Sequence, residues 1–161
     1  MLAPRYLIGF TGHRSGFDED LVGSALETAL EELRSRAAGV GGGVDLYASI
    51  AEGTDTRCVE AARKLGIAVH LLLPLPPEEF EKDFSSPQEW ERSRRQIALA
   101  RQEPGRGSVR VLPGELQRPG CYFDQGIQIL EAADVLVAVW DGQPARSRSS
   151  PMRGGRASRW W

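Results

Sequence analysis

An α/β fold, an open and mainly parallel sheet with helices on both faces, is what this chain of 161 residues predicts. Two observations carry that reading. Short apolar runs rich in β-formers alternate with longer stretches of helical period, and the runs at residues 71–73 and 135–139 are apolar without a break. A strand that is apolar on both faces must be covered on both, and a crossover between parallel neighbours supplies the covering helix.

Residues 5–10 form the first predicted strand, which ends at Thr11 and Gly12. Asp18 is placed to cap the helix that follows. Leu21, Val22, Ala25, Leu26, Ala29, Leu30 and Leu33 share one face of it, and the glycines of 39–43 stop the pattern. Residues 44–50 read as a second strand, and Ala51-Glu52-Gly53-Thr54 turns into a helix over about 55–65, closed by Gly66. Residues 67–73 make a third strand whose exit is punctuated by Pro74, Pro76 and Pro77. The run 78–83, with Phe80 and Phe84 interleaved, reads as a solvated helix face, a lid over a pocket being the other reading. In Ser86-Pro87-Gln88-Glu89 a capping Ser, a Pro at the first helical position and a Glu three residues after the cap predict a helix to about 102. A strand at 109–112, a helix at 121–132 and a strand at 135–140 complete the series.

The length suits one domain, over 1–144, with an appended tail at 145–161. The tail mixes Arg, Ser and Gly without helical or strand period, the composition of a flexible segment. No apolar run approaches the roughly 20 residues of a membrane helix, and the start does not fit a secretory signal, so the expected location is cytoplasmic. Up to Gly142 there are 15 basic against 22 acidic residues, a balance of −7; beyond it stand five Arg and no acid. An acidic domain argues against nucleic acid held on a broad basic face. Cys58 and Cys121 have no partner at metal-ligand spacing and read as buried thiols, and nothing calls for a metal or a cofactor. His70, inside a predicted strand, reads as a core or edge residue.

In an open parallel sheet, ligands bind beyond the carboxyl ends of the strands, where the strand order reverses. Three such ends carry Gly beside hydrogen-bonding side chains. The first, Thr11-Gly12-His13-Arg14, lacks the dinucleotide fingerprint and the P-loop pattern, yet Gly12 lets backbone amides approach a phosphate, and Thr11 and Arg14 supply a hydroxyl and a bidentate fork. An ordinary strand-to-helix turn fits that segment equally well. In the second, Gly53 and Thr54 precede a helix whose free amides suit an anion, while Glu52 and Asp55 suit ribose hydroxyls or a base edge, or simply cap the helix. The third, Trp140-Asp141-Gly142, offers an aromatic plane and an acceptor. No Ser/His/Asp order, metal triad or cysteine pair stands out.

The ordered set Gly-Phe-Thr-Gly-His-Arg, Ser-Ile-Ala-Glu-Gly-Thr-Asp, Leu-Leu-Pro and Ala-Asp-Val-Leu-Val-Ala-Val-Trp-Asp-Gly resembles the SLOG superfamily, over about residues 6–144. That superfamily joins the Smf/DprA DNA-processing proteins, the LOG phosphoribohydrolases once labelled lysine decarboxylases, and Rossmann-like domains thought to bind nucleotide-derived signals. The resemblance implies a Rossmann-like sheet and a ligand site built from Thr11, Gly12, His13, Arg14, Glu52, Gly53, Thr54, Asp55, Trp140, Asp141 and Gly142. It also implies self-association. The Pro-Gly-Gly-x-Gly-Thr stretch of the LOG hydrolases does not occur here, and after Trp-Asp-Gly the chain departs from the superfamily's Gly-Gly-Thr turn, as a truncated or frame-altered end would. Binding of a nucleotide or nucleotide-derived small molecule, by a sensor or effector-coupled module, is therefore the leading expectation. A nucleoside-monophosphate hydrolase with Glu52 or Asp55 as the catalytic carboxylate is the second, and DprA-like single-strand binding the third.

Overall fold

A computed structural model of the chain describes residues 2–102, 105–114 and 117–140. Asp141, Gly142 and the expected tail at 145–161 lie outside the described residues. Five strands, β1 (Arg5–Thr11), β2 (Gly43–Ala48), β3 (Ala68–Leu73), β4 (Gly107–Val111) and β5 (Val135–Ala138), form one all-parallel sheet in the order β4-β3-β2-β1-β5. This is an open Rossmann-like sheet. The chain steps outward from β1 to β4, then returns to lay β5 on the other side of β1, with Ile8 opposite both Leu46 and Val135.

The helices are α1 (Glu19–Gly39), α2 (Thr54–Lys64), the short α3 (Pro77–Phe80) with a 3-10 turn at Glu81–Asp83, α4 (Pro87–Gln102) and α5 (Gly120–Ala132). The Asp18 side chain accepts from the Leu21 amide and starts α1 as its sequence position requires. Leu26 and Leu30 of α1, Cys58 and Val59 of α2, and Trp90 and Ile97 of α4 pack with Ile8, Leu46, Val69 and Leu71 into one core. Burying side chains of this size contributes about 1.5–3 kcal/mol each, which sets this face as the main source of stability.

The second face departs from the expectation of strands apolar on both sides. In β2 the buried Val44, Leu46 and Ala48 alternate with the half-buried Asp45 and Tyr47. Only α5 covers this face among the described residues, and its Ile129 meets Leu72, Leu112 and Tyr47 in a small second cluster. The uncovered part is polar and hydrogen-bonded across the strands. His70 Nδ1 lies 2.8 Å from Ser108 Oγ and its Nε2 3.4 Å from Asp45, Arg5 pairs with Asp45, and Arg110 donates to Tyr47 at 3.0 Å and to Gln128 at 2.5 Å. His70 is thus one rung of a polar ladder. Each such group is satisfied by a neighbour where no helix excludes water.

In the segment 78–83, Glu78, Glu81 and Lys82 form the expected solvated face, whereas Phe80 is fully buried and the Asp83 side chain is turned in. The Phe80 ring stands edge to face with Phe84 at 5.2 Å and with Trp90 at 6.3 Å, so the charged residues around it ride on an aromatic anchor. Cys58 and Cys121 are both buried, as expected. No helix among the described residues is long and apolar enough to cross a membrane.

Candidate functional site

The carboxyl ends of β1, β2 and β5 converge where the strand order reverses, which is where ligands sit in sheets of this kind. The first two loops meet there by direct contact. The His13 carbonyl accepts the Thr54 amide at 3.0 Å and the Thr54 hydroxyl at 2.9 Å, so the first free amide of α2 is satisfied by the neighbouring loop. Gly53, at φ 102°, lies so close to the Arg14 backbone that an added Cβ would stand 2.6 Å from Arg14 Cα. Gly12 faces the Thr54 side chain with no room for one of its own. The glycines of both loops therefore serve this seam between them.

The remaining expected residues divide. Thr11 ends β1, and its carbonyl accepts the Val139 amide at 3.0 Å. Arg14 is half-buried; its Nη1 donates to the Asp83 carbonyl at 3.3 Å, and its guanidinium carbon stands 5.7 Å from the centre of the Tyr122 ring. Glu52 turns away to accept the Ser85 amide at 2.8 Å and the Ser85 hydroxyl at 2.5 Å, tying the second loop to the one before α4. Trp140, the last described residue, is exposed.

Asp55 points elsewhere, into a pocket of about 270 Å³ between the end of β1 and α5. The walls are mostly apolar, from Phe10, Phe123, Ile127 and Leu136, and the polar groups are Thr11, Ser49, Asp55, Tyr122 and Gln125. Asp55 Oδ2 accepts the Ala51 amide at 3.3 Å, and Ser49 lies on the same pocket lining. Gln125 Nε2 donates to Ser49 Oγ at 2.9 Å and to the Leu72 carbonyl. Burial pushes the Asp55 carboxyl up from its ordinary range to about 7, against the opposing pull of the Ala51 amide, the Arg14 charge and the Ser49 hydroxyl. Burial likewise pushes the Cys58 thiol up, with the Asp55 charge adding to it, so that thiol is not a nucleophile.

Beside the pocket, Asp83 gathers a second group of polar side chains. Arg118 Nε donates to both its oxygens at 3.0 and 2.9 Å, and the Tyr122 hydroxyl donates to it as well. Ser49, Tyr122 and Gln125 on the pocket lining, and Asp83 and Arg118 beside it, are candidates that the sequence reading missed. One of them had a signal: Cys121, Gln125 and Ile129 fall on one helical stripe, all buried, and an amide on a core stripe needs partners. Among the described residues no group of three or more His, Cys, Asp or Glu could hold a metal ion. No protein-family model matches the chain, and no curated protein matches it.

Proposed function

We propose that this chain is a nucleotide-binding domain of the SLOG type, taking a nucleotide or nucleotide-derived small molecule as a sensor or effector-coupled module. One observation carries the reading: a mostly apolar pocket at the point of strand reversal, with Asp55 as the one carboxyl group on its lining among the described residues and Arg14 over the ring of the lining residue Tyr122. The pocket is of a size for one ring system, and Arg14 stands next to Tyr122 at its rim, where a phosphate attached through a sugar would lie. Thr54 is committed to His13, so the first amide of α2 is taken and the anion contact of this reading rests on Arg14. The test is a thermal-shift screen against nucleosides and nucleotides. A ligand at 100 times its Kd adds about 2.7 kcal/mol of stability, and a panel that leaves the melting point unmoved would refute the reading.

A second reading, an N-glycosidic hydrolase, is favoured by Asp55 alone, whose carboxyl near neutrality has the pKa of a general acid. Sugar hydrolysis ordinarily uses two carboxylates, and among the described residues Asp55 is the only one lining the pocket, Glu52 being held by Ser85. Binding without turnover is therefore the stronger reading. Release of free base from a nucleoside monophosphate, lost in Asp55→Asn, would reverse the order.

A further inference from the structure

We propose that the pocket selects a flat heterocycle presenting two adjacent N–H donors, the edge that guanine carries, and that the Asp55 carboxylate receives them. The proposal rests on the nucleotide reading and names the ligand class within it. It follows from which hydrogen-bonding capacity is left over inside the pocket.

Donors are spent first. Gln125 gives its N–H groups to Ser49 Oγ and to the Leu72 carbonyl, and the hydroxyls of Ser49 and Thr11 on the lining can accept as well as donate. A carboxylate accepts at about four lone-pair positions, and the Ala51 amide occupies one of them. What faces the cavity is acceptor capacity on Asp55. An anionic acceptor between apolar walls favours a flat ring whose edge donates twice, because both hydrogen bonds are then charge-assisted. A ring edge with one donor and one acceptor, as in adenine, sets a lone pair against the carboxylate and loses one bond.

The charged and titratable groups around Asp55 agree. Arg14 comes from the loop after β1, and Cys58, a neutral thiol, lies along α2. Tyr122 of α5 lines the same pocket with its hydroxyl given to Asp83. The carboxyl sits near neutrality when the site is empty, so a ligand that donates to its charged form expels a proton on binding.

Isothermal titration of the full chain with guanosine and adenosine monophosphates at pH 6, 7 and 8, on wild type and Asp55→Asn, tests this. We expect the guanine ligand to bind roughly 10- to 100-fold more tightly at pH 8, and its affinity to fall by up to about tenfold per unit below pH 7, with adenine showing no such fall. Asp55→Asn, whose carboxamide offers one acceptor and one donor, should lose the guanine preference. Equal affinities, an adenine preference, or a guanine affinity flat with pH would overturn the proposal and leave nucleotide binding standing. Failure of every nucleotide to bind would overturn both. Should Asp55→Asn not fold, the wild-type pH series decides alone.

Discussion

The His13 carbonyl takes both hydrogen bonds that Thr54 can donate at the start of α2, and this single acceptor joins the loop after β1 to the loop after β2. The two loops behave as one unit because of it. Whatever binds at the strand ends meets a preformed edge, and ordering costs that would weaken binding are smaller there.

Gly53→Ala should break that unit. The position needs φ 102°, and a Cβ would press on the Arg14 backbone, so both strain and a clash follow. A loss of roughly 1–3 kcal/mol in denaturant unfolding is expected. A change below about 0.5 kcal/mol would show that the seam relaxes freely.

Arg14→Ala should separate phosphate from nucleoside. A hydrogen bond to a charged group contributes about 1.5–3 kcal/mol, so a phosphorylated ligand should weaken by roughly 10- to 150-fold while the bare nucleoside is little changed. Titration with matched pairs measures this. Equal losses for the two ligands would show that Arg14 acts through its stacking on Tyr122 and its bond to Asp83.

Asp55 should make stability fall as pH rises. Its folded pKa, about 7, lies above the unfolded value of 3.8, so between the two the folded state holds a proton that the unfolded state has lost. Its contribution is most favourable below pH 3.8 and declines through pH 7, by about 1.4 kcal/mol per unit inside that window. Unfolding of wild type and Asp55→Asn at pH 5, 6 and 7 isolates the effect. The difference between them should move in favour of the variant by that slope, and a constant difference would place the carboxyl in a solvated, ordinary setting.

Nucleoside monophosphates should not be hydrolysed. Among the described residues, Glu52 is engaged by Ser85 and Asp83 by Arg118 and Tyr122, so none of them supplies Asp55 with a second free carboxylate. Chromatography of incubated nucleotides detects free base. Release proportional to protein and abolished by Asp55→Asn would contradict this expectation.

Period and punctuation made the main face legible in the sequence: Leu26, Leu30, Leu46 and Val69 are core because their spacing and neighbours require it. The second face was not legible, since a run such as residues 67–73 conceals His70, and only the assembled sheet shows that among the described residues α5 covers just part of it. Strand ends shifted by one or two residues, with β5 ending at Ala138 rather than at 140, because pairing with β1 stops at Thr11. At the site, Asp55 and Arg14 were visible as residue types beside glycines. The Ser49–Gln125 contact joins residues 76 apart in sequence and depends on α5 crossing the sheet, which no local pattern encodes.

Hydrogen exchange of the full chain with and without a saturating nucleotide locates the binding site segment by segment. Added protection is expected at residues 10–14, 49–55 and 122–130, the segments around the pocket, with the amides of β4 and of α1 beyond its first turn unchanged. Protection confined to the opposite end of the sheet, around Arg5, Arg63 and Arg106, or none with any nucleotide, would contradict that placement.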